Sequence, residues 1–279
     1  MFSDNSLFHG AVWYLAFLFS TTLHEASHAW VALKLGDDTA HRGGQVTLDP
    51  IPHIRREPLG MVIVPIISYL MGGWMIGWAS APYDPEWARR NPRRAGLMAV
   101  AGPAANLLIC VAAAVLIRLG IHFGWFDAPE QIRGATSIVS ANSQGFCELA
   151  AIILSVFFYL NVLLFAFNLI PLPPLDGASI PLLCLSDSLA ERYTAFMRSP
   201  GVSMVGIILA WQLFGPLAQT IYHWSLQCLY PGLAYALSNK AREGGPSSAS
   251  GLPPFSSLVS QPSIRSNTRC TSRRSCADG

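Results

Sequence analysis

His24, Glu25 and His28 stand in the run HEASH, an HExxH pattern. On a helix, residues i and i+4 share a face, so the two imidazoles can bind one metal ion. Glu25 projects about 100° further round the helix. There it borders a bound metal without being a ligand, the place of a base that takes a proton from the attacking water. A catalytic zinc takes three protein ligands, so two histidines leave one position to find. The pattern also arises by chance, and core histidines can be satisfied by backbone groups. Here, however, it interrupts the apolar run FLFSTTLHEASHAWVAL. Two imidazoles and a carboxylate in such surroundings need partners, and a metal satisfies them together.

The third ligand has to come from a distant segment. In NLIPLPPLDG, residues 168–177, an apolar run ends in prolines and Asp176 follows. Prolines stop a helix and fix an extended path. Gly177 permits a tight turn beside the carboxylate. Asp176 is equally placed to cap a helix starting near Ala178. Ligand and cap remain two open readings, and one carboxylate can serve both. Two histidines and an aspartate with one open position suit a single Zn2+ ion per chain.

The elements that must carry these residues are apolar. Of 279 residues, 52% are hydrophobic and 12% charged, about half the charge of a soluble domain. With a positive mean hydropathy, this indicates an all-α polytopic membrane protein of about four to six transmembrane segments. Apolar regions cover 7–35, 59–82, 95–120, 149–170 and 201–237, the last broken by Pro216 and Pro231. Residues 239–279 are rich in Ser, Pro, Gly and Arg and read as a disordered tail behind a membrane domain of residues 1–238. Residues 1–9 hold no Lys or Arg, so the basic region of a cleaved signal peptide is missing and the first span is read as retained. The net charge of +2, with no basic stripe, excludes nucleic acid as a partner class. Six cysteines form no CxxC pair, and Cys110, Cys184 and Cys228 read as small apolar residues.

Charge sets the topology. Lys34, Arg42, Arg55 and Arg56 follow the first region; Arg89, Arg90, Arg93 and Arg94 precede the third; only Arg133 lies between the third and fourth. Both basic segments belong on the cytoplasmic side. They share it only if 59–82 turns back, as Pro65, Gly72, Gly73, Gly77 and Pro82 would allow in a re-entrant hairpin. A simple span is the competing reading, since the region has the right length. In the hairpin arrangement the first and fourth spans both run inward. His24, His28 and Asp176 can then meet nearer the cytoplasmic face.

HEASH, AGPAAN (101–106) and NLIPLPPLDG together resemble the site-2 protease family of intramembrane zinc metallopeptidases, in that family's order. The likeness is to its short form without PDZ or CBS domain, and TLDPIPHI and GWASAP resemble signatures of that form. HIRREPLG stands where an Asp directly after HI would be more usual, which leaves His53 without a role. The resemblance implies a zinc metalloendopeptidase that hydrolyses peptide bonds within or near transmembrane segments of membrane protein substrates. His24, His28 and Asp176 would hold zinc, and Glu25 would be the catalytic base. Asn106 would be a polar group near the zinc, positioned to orient substrate or stabilise the oxyanion. Asn106 and Asn168 can instead be interhelical hydrogen-bonding residues. The short architecture suggests a multi-pass protein of a bacterial inner (plasma) membrane. Two other readings remain: a peptidase whose third ligand is a glutamate such as Glu148 or Glu191, and a non-catalytic membrane scaffold or metal-binding protein.

Overall fold

The computed structural model describes residues 4–132, 134–231, 235–237 and 264–266. In chain order its helices are α1 (Asp4–Leu35), α2 (Thr39–Arg42) and α3 (Pro50–Arg56), then a π-helical turn (Leu59–Ile63) running into α4 (Val64–Gly72). Next come α5 (Pro85–Arg90), α6 (Pro92–His122), the two-residue strands β1 (Phe126–Asp127), β2 (Gln131–Ile132) and β3 (Ser140–Ala141), and α7 (Phe146–Asn168). A 3-10 helix (Asp176–Leu183), α8 (Asp187–Met197), α9 (Pro200–Leu229), β4 (Tyr235–Leu237) and β5 (Ile264–Ser266) complete the order. Strands β1 and β3 pair antiparallel, and β5 pairs with both β2 and β4. Most of the expected tail, 239–279, lies outside the described residues; the three described ones form β5.

The fold is that of an all-α polytopic membrane protein. Among the described residues, α6, α7 and Gly201–Leu229 of α9 are long and apolar enough to cross a membrane. Helix α1 is as long as these, at 32 residues. Ser20, Thr21, Thr22, His24, Glu25 and His28 lower its hydropathy, and all six are buried in a helix that packs on α6 and α7. Its outward face is apolar: Leu15, Phe19 and Trp30 are exposed. A helix that hides its polar face and shows its apolar one suits lipid surroundings. With α1 the count is four, the lower bound of the range that the sequence suggested.

The second apolar region turns back. Pro65 has no N–H to continue the regular ladder, and the entry widens into a π turn closed by the Val64 N–H donating to Leu59 O. Helix α4 ends at Gly73, whose φ of 72° is left-handed. The chain then returns without helix through residues 75–84. On the way the Ile76 N–H donates to Ser68 Oγ at 2.9 Å and the Trp78 N–H to Gly60 O at 3.1 Å. Ser80 Oγ donates to Glu57 Oε1 at 2.6 Å, so the segment ends where it began. The region folds back as a hairpin instead of continuing in one direction. A Cβ on Gly77 would strike Gly60 O and the Phe17 ring, which is why the return can lie so close to α1.

The C-terminal end of α1 is tied to this return. The Asp37 carboxylate accepts from the Thr39 hydroxyl at 2.6 Å, the Thr39 N–H at 3.0 Å and the Asp84 N–H at 2.9 Å. Burial opposes its charge, but these bonds outweigh burial and hold the carboxyl below its usual range. The segment 77–84 therefore runs beside α1 from the level of Phe17 to that of Asp37, past the level of His24 and His28.

Candidate active site

Three elements deliver three polar atoms to one point. His24 and His28, one turn apart on α1, bring their Nε2 atoms 3.0 Å from each other. Asp176 Oδ2 lies 3.1 Å from His24 Nε2 and 3.3 Å from His28 Nε2. Both histidines are buried. Among the described residues these three form the grouping able to hold a metal ion. Helix α7 stops at Asn168 before Pro171, Pro173 and Pro174, and the chain returns to the bundle with Asp176. Asp176 makes no capping bond: the 3-10 helix it opens has no side-chain cap, and its carboxylate turns to the imidazoles instead. Gly177 is needed for close approach, since a Cβ there would strike the carbonyls of Leu169 and Ile170.

The outer nitrogens fix the rings. His28 Nδ1–H donates to Met98 O at 2.7 Å, and His24 Nδ1–H donates to Asn106 Oδ1 at 2.6 Å. Both acceptors lie on α6. Pro103 lies inside that helix, where it has no N–H to give to the backbone ladder. With Nδ1 protonated, each neutral imidazole turns a lone pair toward the carboxylate. Two lone pairs and a carboxylate oxygen repel one another unless a proton or a metal cation lies among them. Zinc–ligand distances of about 2.0–2.1 Å give tetrahedral edges of about 3.3–3.4 Å. The edges here are 3.0, 3.1 and 3.3 Å, so the residues fit a small tetrahedral cation. Space is kept for it by Gly102 on α6: a Cβ there would lie against Nε2 of both His24 and His28.

Glu25 is buried next to this cluster, and no hydrogen-bond partner for its carboxylate is found among the described residues. It is available to handle a proton. Asn106 is fully buried; its Oδ1 accepts from His24 and its Nδ2 donates to Asn161 Oδ1 at 2.9 Å. These bonds orient the His24 ring from behind. Asn168 stays within its own helix, donating from Nδ2 to Leu164 O. His53 is buried apart from the cluster and donates from Nε2 to Thr47 O at 3.2 Å. Glu148 opens α7 at the end opposite Asp176, and Glu191 lies 3.7 Å from Arg89, so neither joins the histidines. Asn161 and Gly102 were not singled out from the sequence. Asn161 carried a usable signal, since it interrupts FFYLNVLL as His24 interrupts its own run.

Residues 12–212 match the model of peptidase family M50. The chain is 34% identical over 168 residues to the Bacillus subtilis (strain 168) protein named "Putative zinc metalloprotease YwhC", a match covering 60% of this chain and 65% of that protein. It is 26% identical over 162 residues to "Putative zinc metalloprotease Rip2" of Mycolicibacterium smegmatis, covering 57% of this chain and 52% of the other. Against the protein of the same name in Mycobacterium tuberculosis (strain ATCC 25618 / H37Rv), identity is 30% over 160 residues, with the same two coverages, 57% and 52%. The chain thus spans less than two thirds of the length of the curated relatives it matches. No solved structure matches it.

Proposed function

The chain belongs to peptidase family M50, the site-2 protease family, and on that premise we propose that it is a zinc metalloendopeptidase cutting membrane proteins within or near their transmembrane segments. The observation that carries this is the meeting of His24, His28 and Asp176 beside a buried Glu25 inside a bundle of apolar helices. His24 Nε2, His28 Nε2 and Asp176 Oδ2 would hold one zinc ion. When bound, zinc supplies Lewis acidity, polarising the scissile carbonyl and lowering the pKa of water toward about 7. Glu25 takes the proton of the attacking water on its carboxylate and passes it to the leaving amine. Asn106 and Met98 hold the rings from behind. The surrounding helices keep bulk water away, and the bacterial relatives favour a bacterial inner membrane as the setting.

A transmembrane substrate hides its peptide bonds in helical hydrogen bonds and must unwind to be cut. Residues 75–81 offer an unwound chain something to pair with. Ile76 and Trp78 spend their N–H groups on the hairpin, and Ser80 O accepts from Gln45. The backbone groups of Gly77 and Ala79, between them, have no partner among the described residues. They form an edge for an extended substrate. Replacing Ala79 by proline removes one N–H from that edge without disturbing a bond to the hairpin. Cleavage is expected to fall, through KM first, with zinc content unchanged. Normal cleavage by that variant would refute the pairing.

The metal reading has its own test. Purified chain, analysed for metal, is expected to carry about one zinc ion, and His24→Ala or Asp176→Ala should carry none. A wild-type chain that neither holds nor takes up zinc would overturn the proposal.

A further inference from the structure

Asn161 lies on α7, wholly buried between α1 and α6. Its amide has two N–H groups and one oxygen, and all three are spent. One N–H donates to Phe157 O at 2.8 Å and the other to Ser20 Oγ at 2.9 Å. A backbone carbonyl only accepts, so flipping this amide would set oxygen against oxygen. Oδ1 of Asn161 must therefore face Asn106, and it accepts from Nδ2 there at 2.9 Å. That fixes the second amide in turn. Asn106 has its oxygen left for His24, and the 2.6 Å contact is a bond from the imidazole Nδ1–H. The lone pair of His24 is left on Nε2, toward Asp176 and His28. Each step follows from the one before, starting from a backbone carbonyl that cannot change its role.

We propose that Asn161, supported by Ser20, is a positioning residue for the metal centre: it sets the amide of Asn106 and, through it, the rotation and tautomer of His24. The inference rests on the metal reading above. It assigns a function to a residue outside HEASH, AGPAAN and NLIPLPPLDG, on a helix that supplies no ligand. The alternative is plain glue, since buried asparagines join membrane helices by hydrogen bonds. The two differ in what they move. Glue changes stability and leaves the metal's surroundings alone. A positioning residue changes metal affinity, because groups that orient ligating histidines are worth about 10- to 100-fold in binding.

The experiment uses the full chain in detergent or nanodiscs, with zinc affinity read by chelator competition and ligand geometry by the absorption of bound Co2+. Asn161→Leu keeps the bulk and removes every bond, so zinc should bind about 10- to 100-fold more weakly with a changed Co2+ spectrum. Ser20→Ala removes one acceptor only and should shift both readouts less, in the same direction; it decides the matter if the leucine variant does not fold. Val162→Ala, the next residue on α7 and buried in a separate core cluster, should leave both unchanged. Wild-type affinity and spectrum in Asn161→Leu, or in Ser20→Ala where that variant decides, would overturn the inference while the metal reading stood. A wild-type chain that binds neither ion would overturn the metal reading, and this inference with it.

Discussion

Replacing Glu25 by glutamine is expected to abolish cleavage and leave zinc in place. The two side chains have nearly the same shape, and Glu25 has no hydrogen-bond partner to lose among the described residues. Its packing on α1 should survive. What changes is chemistry: an amide cannot accept the proton of an attacking water or return it to a leaving amine. A positioned general base contributes about 10²- to 10⁴-fold to rate, so turnover should fall by at least that lower figure. Zinc should remain because His24, His28 and Asp176 are untouched. The comparison is made in the native membrane, where transmembrane proteins that accumulate uncut with the glutamine variant are candidate substrates. Metal analysis of the same variant checks the second half. Unchanged proteolysis would refute the assigned base.

Polar residues inside apolar runs were the part of the site that could be read directly from sequence. They had to be placed where burial was bearable, which pointed to His24, Glu25 and His28 together. The prolines before Asp176 showed where a helix must stop and a carboxylate could return. Charge alone posed the question of 59–82, and the Ser80–Glu57 contact answers it, because the chain comes back to its starting level. The orientation of the Asn106 amide was not legible. A sequence shows that an amide sits in a helix, not which way its oxygen faces, and here that depends on Asn161, 55 residues further on. The span count was uncertain for a related reason. The polar face of α1 lowers its hydropathy, yet that face is hidden by α6 and α7, which composition cannot see.

Gly102→Ala is expected to empty the metal site. The added carbon would occupy space against Nε2 of both His24 and His28, the side on which those rings present their lone pairs. Retreat of α6 is opposed on several sides, since it packs on α1, α7 and the 3-10 helix that carries Asp176. Rotation of the imidazoles would break the bonds from Nδ1 to Asn106 and Met98. Helix propensity works the other way, because alanine favours a helix by about 1 kcal/mol over glycine. A loss of metal would therefore be steric. Zinc content is expected to fall from about one ion per chain to none, with cleavage lost alongside. Gly215→Ala, on α9, is the control: a Cβ there meets nothing within 4 Å. That variant should keep its zinc. Full zinc occupancy in Gly102→Ala would mean that α6 yields more readily than its packing implies, and that the glycine of AGPAAN is not there to make room for the metal.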